Sequence, residues 1–205
     1  MLGICIPYYK NSRICEENFK ELMISIKNQL SDDMILVIYE DGQKSLWLDD
    51  YKCKNIDVIQ DLYNMGVSHA RNTCIDYLLH IGVDYILFID SDDMIECNYL
   101  ETMADACMTY KYDLVDSIFF VNNKLYDPAK KTSVSGCAIK SELIKNMRFN
   151  EKLQIGEDTD YINRLYDKKS DLKVYKANTS YFYNLGSNLN SLMMRYKRGE
   201  INKWR

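Results

Sequence analysis

Glycine and proline are scarce in this sequence, eight and two among 205 residues. No flexible or proline-stiffened linker therefore divides it, and the length suits one substantial core rather than two. The seven cysteines are odd in number and never form C-x-x-C, which excludes a disulfide framework or zinc ribbon and favours a reducing, cytoplasmic setting. No apolar run approaches the roughly 18 residues needed to span a bilayer, so no transmembrane segment is expected. Nor does a basic segment lead into an apolar one at the amino terminus, as a signal peptide would require. There is no internal repeat and no low-complexity tract. A net charge of −4 provides no attraction toward nucleic acid or anionic lipid. The exception is local: Arg195, Lys197, Arg198, Lys203 and Arg205 face a single acid, Glu200, near the end.

What is present is an alternation of short apolar runs with helix-period segments, the pattern of an α/β protein with a largely parallel sheet. Strands are expected at Leu2 to Pro7, Met34 to Tyr39, Ile56 to Ile59, Tyr85 to Ile89 and Leu114 to Val121. Helical faces are marked by Phe19, Leu22, Met23, Ile26 and Leu30, by Val67 through Ile81, and by Leu100, Met103, Ala104 and Cys107. Residues 122–134 read as loop, and Ala138 to Met147 as a strand end with a short helix. Glu157 to Lys168 reads as a helix, Leu172 to Asn184 as β-rich, and Leu189 to Tyr196 as a last helix. In open sheets of this kind ligands sit beyond the carboxyl ends of the strands. That rule gathers Pro7-Tyr8-Tyr9, Asp41 and Asp90 to Asp93 at one rim.

The sharpest feature is DYILFIDSDDM, from Asp84 to Met94: a buried strand running into three carboxylates within four residues. Like charges this close repel, and their desolvation is costly, so a cation is expected among them. Asp90 and Asp92, two apart, point to one side of the strand end. Hard oxygens select magnesium, manganese or calcium, and two carboxylates suit an ion that completes its shell with phosphate and water. A plain helix cap needs fewer acids. Met94 departs from a dehalogenase-type phosphatase pattern, and no G-x-x-x-x-G-K-[ST] loop occurs.

Five motifs in order resemble a family 2 glycosyltransferase of the GT-A fold: IPYYKN (Ile6 to Asn11), EDG (Glu40 to Gly42), NMGVSHARN (Asn64 to Asn72), DSDD (Asp90 to Asp93) and GED (Gly156 to Asp158). Each motif alone is weak; the ordered set, from Leu2 to about Tyr166, is specific. The resemblance implies a Rossmann-like, mostly parallel sheet flanked by helices. Residues 1–205 would form one domain, with a nucleotide-sugar half over about 1–95 and an acceptor half beyond it. It implies a nucleotide-sugar donor, commonly UDP-linked, together with Mn2+ or Mg2+.

Within that resemblance, Pro7, Tyr8, Tyr9, Asp41, Asn64, Gly66, Arg71, Asp90 and Ser91 fall on the donor side. Tyr8 or Tyr9 would stack on uracil, Asp41 would accept its N3–H, and Arg71 would reach the uracil or diphosphate. Asp92 would be the main metal ligand, with Asp90 on ribose or metal and Asp93 in support. The general base would be Asp158, with Glu157 the second choice, in a single displacement with inversion. Arg195, Lys197 or Arg198 would clamp the diphosphate, or the basic end would simply be a solvated helix face. Both histidines, His69 and His80, precede DSDD, so a late residue such as Asn188, or diphosphate and water, would complete the metal sphere. The chain has no Q-x-x-R-W and no membrane helix, which implies transfer of one sugar at a time. A lipid-linked sugar, a glycan, a protein and a modified base are all compatible acceptors. Two other readings share these residues: a GT-A nucleotidyltransferase, which would release pyrophosphate, and a catalytically silent nucleotide-sugar or glycan-binding module.

Overall fold

The computed structural model describes residues 1–42, 44–128, 131–183, 197–200 and 202–203. Its elements run β1 (Leu2–Tyr8), α1 (Arg13–Lys27), β2 (Met34–Asp41), a 3-10 turn (Leu46–Tyr51), β3 (Ile56–Asp61), α2 (Val67–Ile81), β4 (Tyr85–Phe88) and β5 (Met94–Ile95). The second half adds α3 (Tyr99–Tyr110), β6 (Leu114–Val121), β7 (Lys124–Tyr126), β8 (Cys137–Lys140), α4 (Ser141–Ile144), α5 (Glu157–Lys168) and β9 (Val174–Tyr183). The helix expected over Leu189 to Tyr196 lies outside the described residues.

All main strands join one sheet in the order β3-β2-β1-β4-β8-β6-β9-β5, with β7 paired to β6. β3, β2, β1 and β4 are mutually parallel, and β6 pairs β9 in parallel. β8 runs antiparallel between β4 and β6. The residues alternate between two cores, as a strand period of two requires. Ile4, Ile6, Leu36, Ile38 and Leu87 face one layer with Phe19 and Leu22 of α1 and Leu100 and Met103 of α3. Cys5, Val37, Tyr39, Ile86 and Phe88 face the other with Cys74 and Leu78 of α2 and Ile162 and Leu165 of α5. Burial on both faces explains why β1 and β4 read as continuous apolar runs rather than as alternation.

Local chemistry sets the ends. Ser12 caps α1 by accepting the Cys15 N–H at 3.1 Å. The segment 122–134, expected to be loop, contains the β6–β7 hairpin. Asn122 and Asn123 both take positive φ (50° and 61°), the backbone of a tight hairpin turn. The Asn-Asn pair was the readable signal.

Pro7 sits at the mouth of the sheet. Ile89 donates to the Cys5 carbonyl, so β1 backbone groups at alternate positions face β4, yet register with β4 stops at Cys5↔Phe88. The missing proline N–H therefore falls where no neighbour asks for it, and the strands diverge into a crevice. At the rim, Gly42 (φ 90°) packs against the Asn64 backbone, with a β-carbon position only 2.7 Å from the Asn64 nitrogen.

Gly42→Ala should therefore lose more stability than Gly82→Ala, where φ is also positive but the space is open. The second change carries only the left-handed penalty of about 1–2 kcal/mol, the first that penalty plus a backbone clash. Urea unfolding midpoints compare the two; equal losses would contradict the close packing of the Gly42 and Asn64 loops.

Candidate active site

Three segments meet at the carboxyl rim, and a buried arginine holds them together. Arg71, in the second turn of α2, is 3% exposed. Its Nη2 donates to Asp90 Oδ1 at 2.7 Å; its Nη1 donates to Glu157 Oε1 at 2.9 Å and Asp158 Oδ1 at 2.6 Å. The guanidinium lies 5.3 Å from the centroid of the Phe149 ring. Burial alone would lower its pKa, but Asp158, Asp90 and Glu157 together hold it above the ordinary arginine value. Arg71 was expected to reach the nucleotide; its terminal nitrogens are spent on protein carboxylates instead. The DSDD and GED motifs thus meet through one cation.

One positive charge faces four acids, because Asp92 lies in the same turn. Burial, then the charge of Asp90, pushes Asp92 up to about 6. Burial, then Asp158, pushes Glu157 up to about 7. Asp158 is raised as well, foremost by burial. The cluster is short of positive charge, as the sequence suggested.

Two serines and a tyrosine that sequence reasoning missed complete the frame. Ser133 donates to Asp158 Oδ2 at 2.7 Å, and Ser135 donates to Asp90 Oδ2 at 2.6 Å; their hydroxyls lie 3.0 Å apart. Tyr181 of β9 accepts the Asp90 N–H at 3.0 Å and donates to Asp93 Oδ2 at 2.6 Å. Its ring packs against Gly136, where a β-carbon would come within 2.7 Å. The aspartate turn is thereby clasped from the far strand. These are long-range partners with no local pattern, so nothing in the sequence marked them.

The donor-side residues divide. Tyr8 is fully buried, its ring on Phe19 (centroids 4.2 Å) and Trp47 (6.2 Å), so it cannot stack on a base. Tyr9, 43% exposed, is left as the stacking face. Asp41, 3% exposed, accepts the Met65 N–H at 2.6 Å and the Gly66 N–H at 2.8 Å. It shapes the turn into α2 rather than presenting an open acceptor to uracil. Gly66 takes φ 94°, as a turn into a helix on such a tether requires. Asn64 is exposed beside that turn, and Ser91 is buried within the aspartate turn. His69, read as a surface or packing residue, is partly buried with its ring edge-on to Tyr39, 3.3 Å from Glu151 and 3.7 Å from Asp61.

For a metal the residues fit in part. Among the described residues no group of three or more His, Cys, Asp and Glu side chains is arranged to hold an ion. Asp90, expected on ribose or metal, has both oxygens engaged, Oδ1 by Arg71 and Oδ2 by Ser135. Asp92 makes no ion pair among the described residues, and burial, then the charge of Asp90, raises its pKa despite the Arg71 charge. A hard divalent ion held by Asp92, with phosphate and water in its other positions, suits this donor set. Arg195 and Asn188 lie outside the described residues. Lys203 lies beside the GED turn: Gln154 N–H donates to the Lys203 carbonyl at 2.8 Å, and Lys203 Cε lies 3.8 Å from a β-carbon position on Gly156. Arg198 is paired with Glu200.

Residues 3–174 match the family model described as glycosyl transferase family 2. The Bacillus subtilis minor teichoic acid biosynthesis protein GgaB is 26% identical over 87% of this chain. The Streptococcus pneumoniae glycosyltransferase GlyA is 26% identical over 60% of it. This chain spans only 21% and 17% of those two proteins. Among solved structures, S. aureus TarS residues 1–349 superpose with a TM-score of 0.73 at 19% identity, over 89% of this chain and 60% of that one. TarS has also been solved with UDP and with UDP-GlcNAc. GalNAc-T7, solved with UDP, GalNAc and Mn2+, gives a TM-score of 0.67 at 12% identity, over 94% of this chain and 46% of its own. Likeness at these identities establishes the GT-A fold. Among the described residues no helix is long and apolar enough to cross a membrane.

Arg71→Met should cost about 3–5 kcal/mol at pH 8, because it strands three largely buried carboxylates. Those carboxylates then bind protons more tightly in the folded than in the unfolded chain, so the deficit should shrink at pH 5. Urea titrations at the two pH values decide; equal deficits would remove Arg71 from the centre of the network. Asp92 behaves oppositely. Its pKa of about 6 lies above the unfolded value of about 3.9, so the stability tied to its proton is complete below about pH 4 and lost as pH rises through 6. Asp92→Asn should raise the stability of metal-free protein by roughly 1–2 kcal/mol at pH 8 and not at pH 4. Melting in chelator at both pH values measures it, and no gain at pH 8 would contradict the uncompensated charge.

Proposed function

The chain belongs to glycosyl transferase family 2, and from that premise we propose that it moves one sugar from a nucleotide-diphosphate sugar, most simply a UDP sugar, to an acceptor hydroxyl with inversion. The observation that carries this reading is the double engagement of Arg71. It ties the aspartate turn, where a diphosphate and its cation would sit, to the GED acids that would receive a proton. Donor-end and base-end groups are thus held at fixed separation before any substrate arrives, which is what positioning requires. The UDP and UDP-GlcNAc complexes of TarS support the choice of donor by analogy of fold.

The roles follow from the surroundings of each side chain. Tyr9 offers its exposed ring to the base, and Asp41 and Gly66 shape the loop beside it. Asp92 holds Mn2+ or Mg2+ together with the diphosphate. The ion, when bound, supplies charge neutralisation at the leaving group. Asp158 is the base. Its Oδ2 already accepts a hydroxyl proton from Ser133, so a hydroxyl donor occupies the place that an acceptor would take. As the acceptor oxygen bonds to the anomeric carbon, its proton passes to Asp158. The bond from that carbon to the diphosphate oxygen breaks, and its electron pair leaves with the nucleoside diphosphate. Burial, which raises the pKa of Asp158, makes it a better proton acceptor than an exposed aspartate. Free thiols throughout, most of them buried, fit a cytoplasmic enzyme.

Asp158→Asn should leave UDP affinity, read by calorimetry with Mn2+, near native. Transfer should fall by about 10²–10⁴ in single-turnover assays, and Glu157→Gln should lose less. Near-native transfer by both variants would place the base elsewhere. Release of pyrophosphate instead of nucleoside diphosphate would replace the reading with nucleotidyl transfer.

A further inference from the structure

The motif NMGVSHARN ends in a residue that the site as described leaves unused. Asn72 follows Arg71 on α2, is 7% exposed, and turns both ends of its amide on one residue of a distant loop. Its Oδ1 accepts the Phe149 N–H at 2.7 Å, and its Nδ2 donates to the Phe149 carbonyl at 3.1 Å and to Glu151 Oε1 at 2.8 Å. A side-chain amide that meets both backbone groups of one residue fixes it as a strand partner would. What is held in this way is a buried phenylalanine, on a segment that contributes no charge to the Arg71 cluster.

The Phe149 ring touches the same three elements that the Arg71 guanidinium ties. On α2 it meets that guanidinium, 5.3 Å from the ring centroid. On α5 it stacks on Tyr161, one turn beyond Glu157, with centroids 4.0 Å apart and planes 10° from parallel. On β4 it meets Phe88 edge-on at 6.0 Å, two residues before Asp90. The guanidinium in turn lacks a constraint on its third nitrogen. Both terminal nitrogens are bonded to carboxylates, but Arg71 Nε is buried and makes no hydrogen bond among the described residues. The ring supplies what that edge lacks: an electron-rich surface that attracts the cation where burial has removed water. Leucine would fill the space and offer no such surface.

We infer that Phe149, set in place by Asn72, is a positioning residue whose ring fixes the orientation of the Arg71 guanidinium, and thereby the separation of Asp90 from Glu157 and Asp158. The inference rests on the glycosyltransferase reading for what that separation serves, and on the contacts above for its existence. Neither Phe149 nor Asn72 is assigned a contact with a reacting group; both act through Arg71.

Guanidinium NMR on protein labelled at arginine, without metal or donor, tests it. Arg71→Met assigns the Arg71 signals. In wild type the two Nη groups should give separate signals, because rotation about Nε–Cζ is restrained. Trifluorophenylalanine in place of Phe149 keeps the ring but withdraws charge from its face, and should speed that rotation about threefold or more. Phe149→Leu should do at least as much. Asn72→Ala removes no group that Arg71 touches, yet should speed it as well. Ile162→Val, a packing loss on α5 in the same core layer, should not. If Phe149→Leu or Asn72→Ala fails to fold, the fluorinated ring compared with Ile162→Val decides alone. Merged Nη signals in wild type overturn the positioning role, even in an active enzyme. So does unchanged rotation in the fluorinated protein or in folded Asn72→Ala, or equally fast rotation in Ile162→Val. The expected pattern upholds the role even where no sugar transfer is found, in which case only the glycosyltransferase reading falls.

Discussion

A single buried guanidinium with three carboxylates around it is the constraint on which the rest of this structure depends. Arg71 comes from α2, Asp90 from the end of β4, and Glu157 and Asp158 from the first turn of α5. Removing charges from water costs several kcal/mol each unless geometry and hydrogen bonds compensate. Here the compensation requires all three elements at once, so docking α5 against the sheet and building the site are one event. The planar fork matters: lysine would meet three separated carboxylates with a point charge.

The surrounding architecture makes that arrangement accessible. β1 and β4 part after Cys5 and Phe88, and the proline at position 7 marks the place where backbone pairing is no longer needed. β8 then enters antiparallel to β4 and brings the 131–135 segment across the mouth of the crevice. Ser133 and Ser135 are delivered in this way to carboxylates 25 and 45 positions away in sequence. Tyr181 arrives from still further, on β9, and clasps the aspartate turn from its other side.

Charge imbalance links stability to function in this molecule. Asp92 and Glu157 are raised by burial and by their neighbours' charges, so both bind protons more readily than exposed carboxylates would. A cluster with this excess of acid is less stable than a filled apolar core would be, the usual compromise where function sits.

Much of this was legible without coordinates. The two-faced burial of β1, β2 and β4 is written in their continuous apolar runs, and the helix faces in their 3.6-residue spacing, because both follow from local backbone geometry. The excess of acid in DSDD was equally plain, since electrostatic repulsion depends only on proximity along the chain. Which partner answers each acid was not. Arg71 reads as a donor ligand until α5 closes on it, Asp41 as a base acceptor until its oxygens meet the Met65 and Gly66 amides, and Tyr8 as a stacking face until Phe19 and Trp47 bury it. Ser133, Ser135 and Tyr181 carry no signal at all in sequence. Local propensity and pattern determine elements, whereas satisfaction of buried polar groups is settled by whichever partner packing brings within about 3 Å, and that distance exists only in the folded chain.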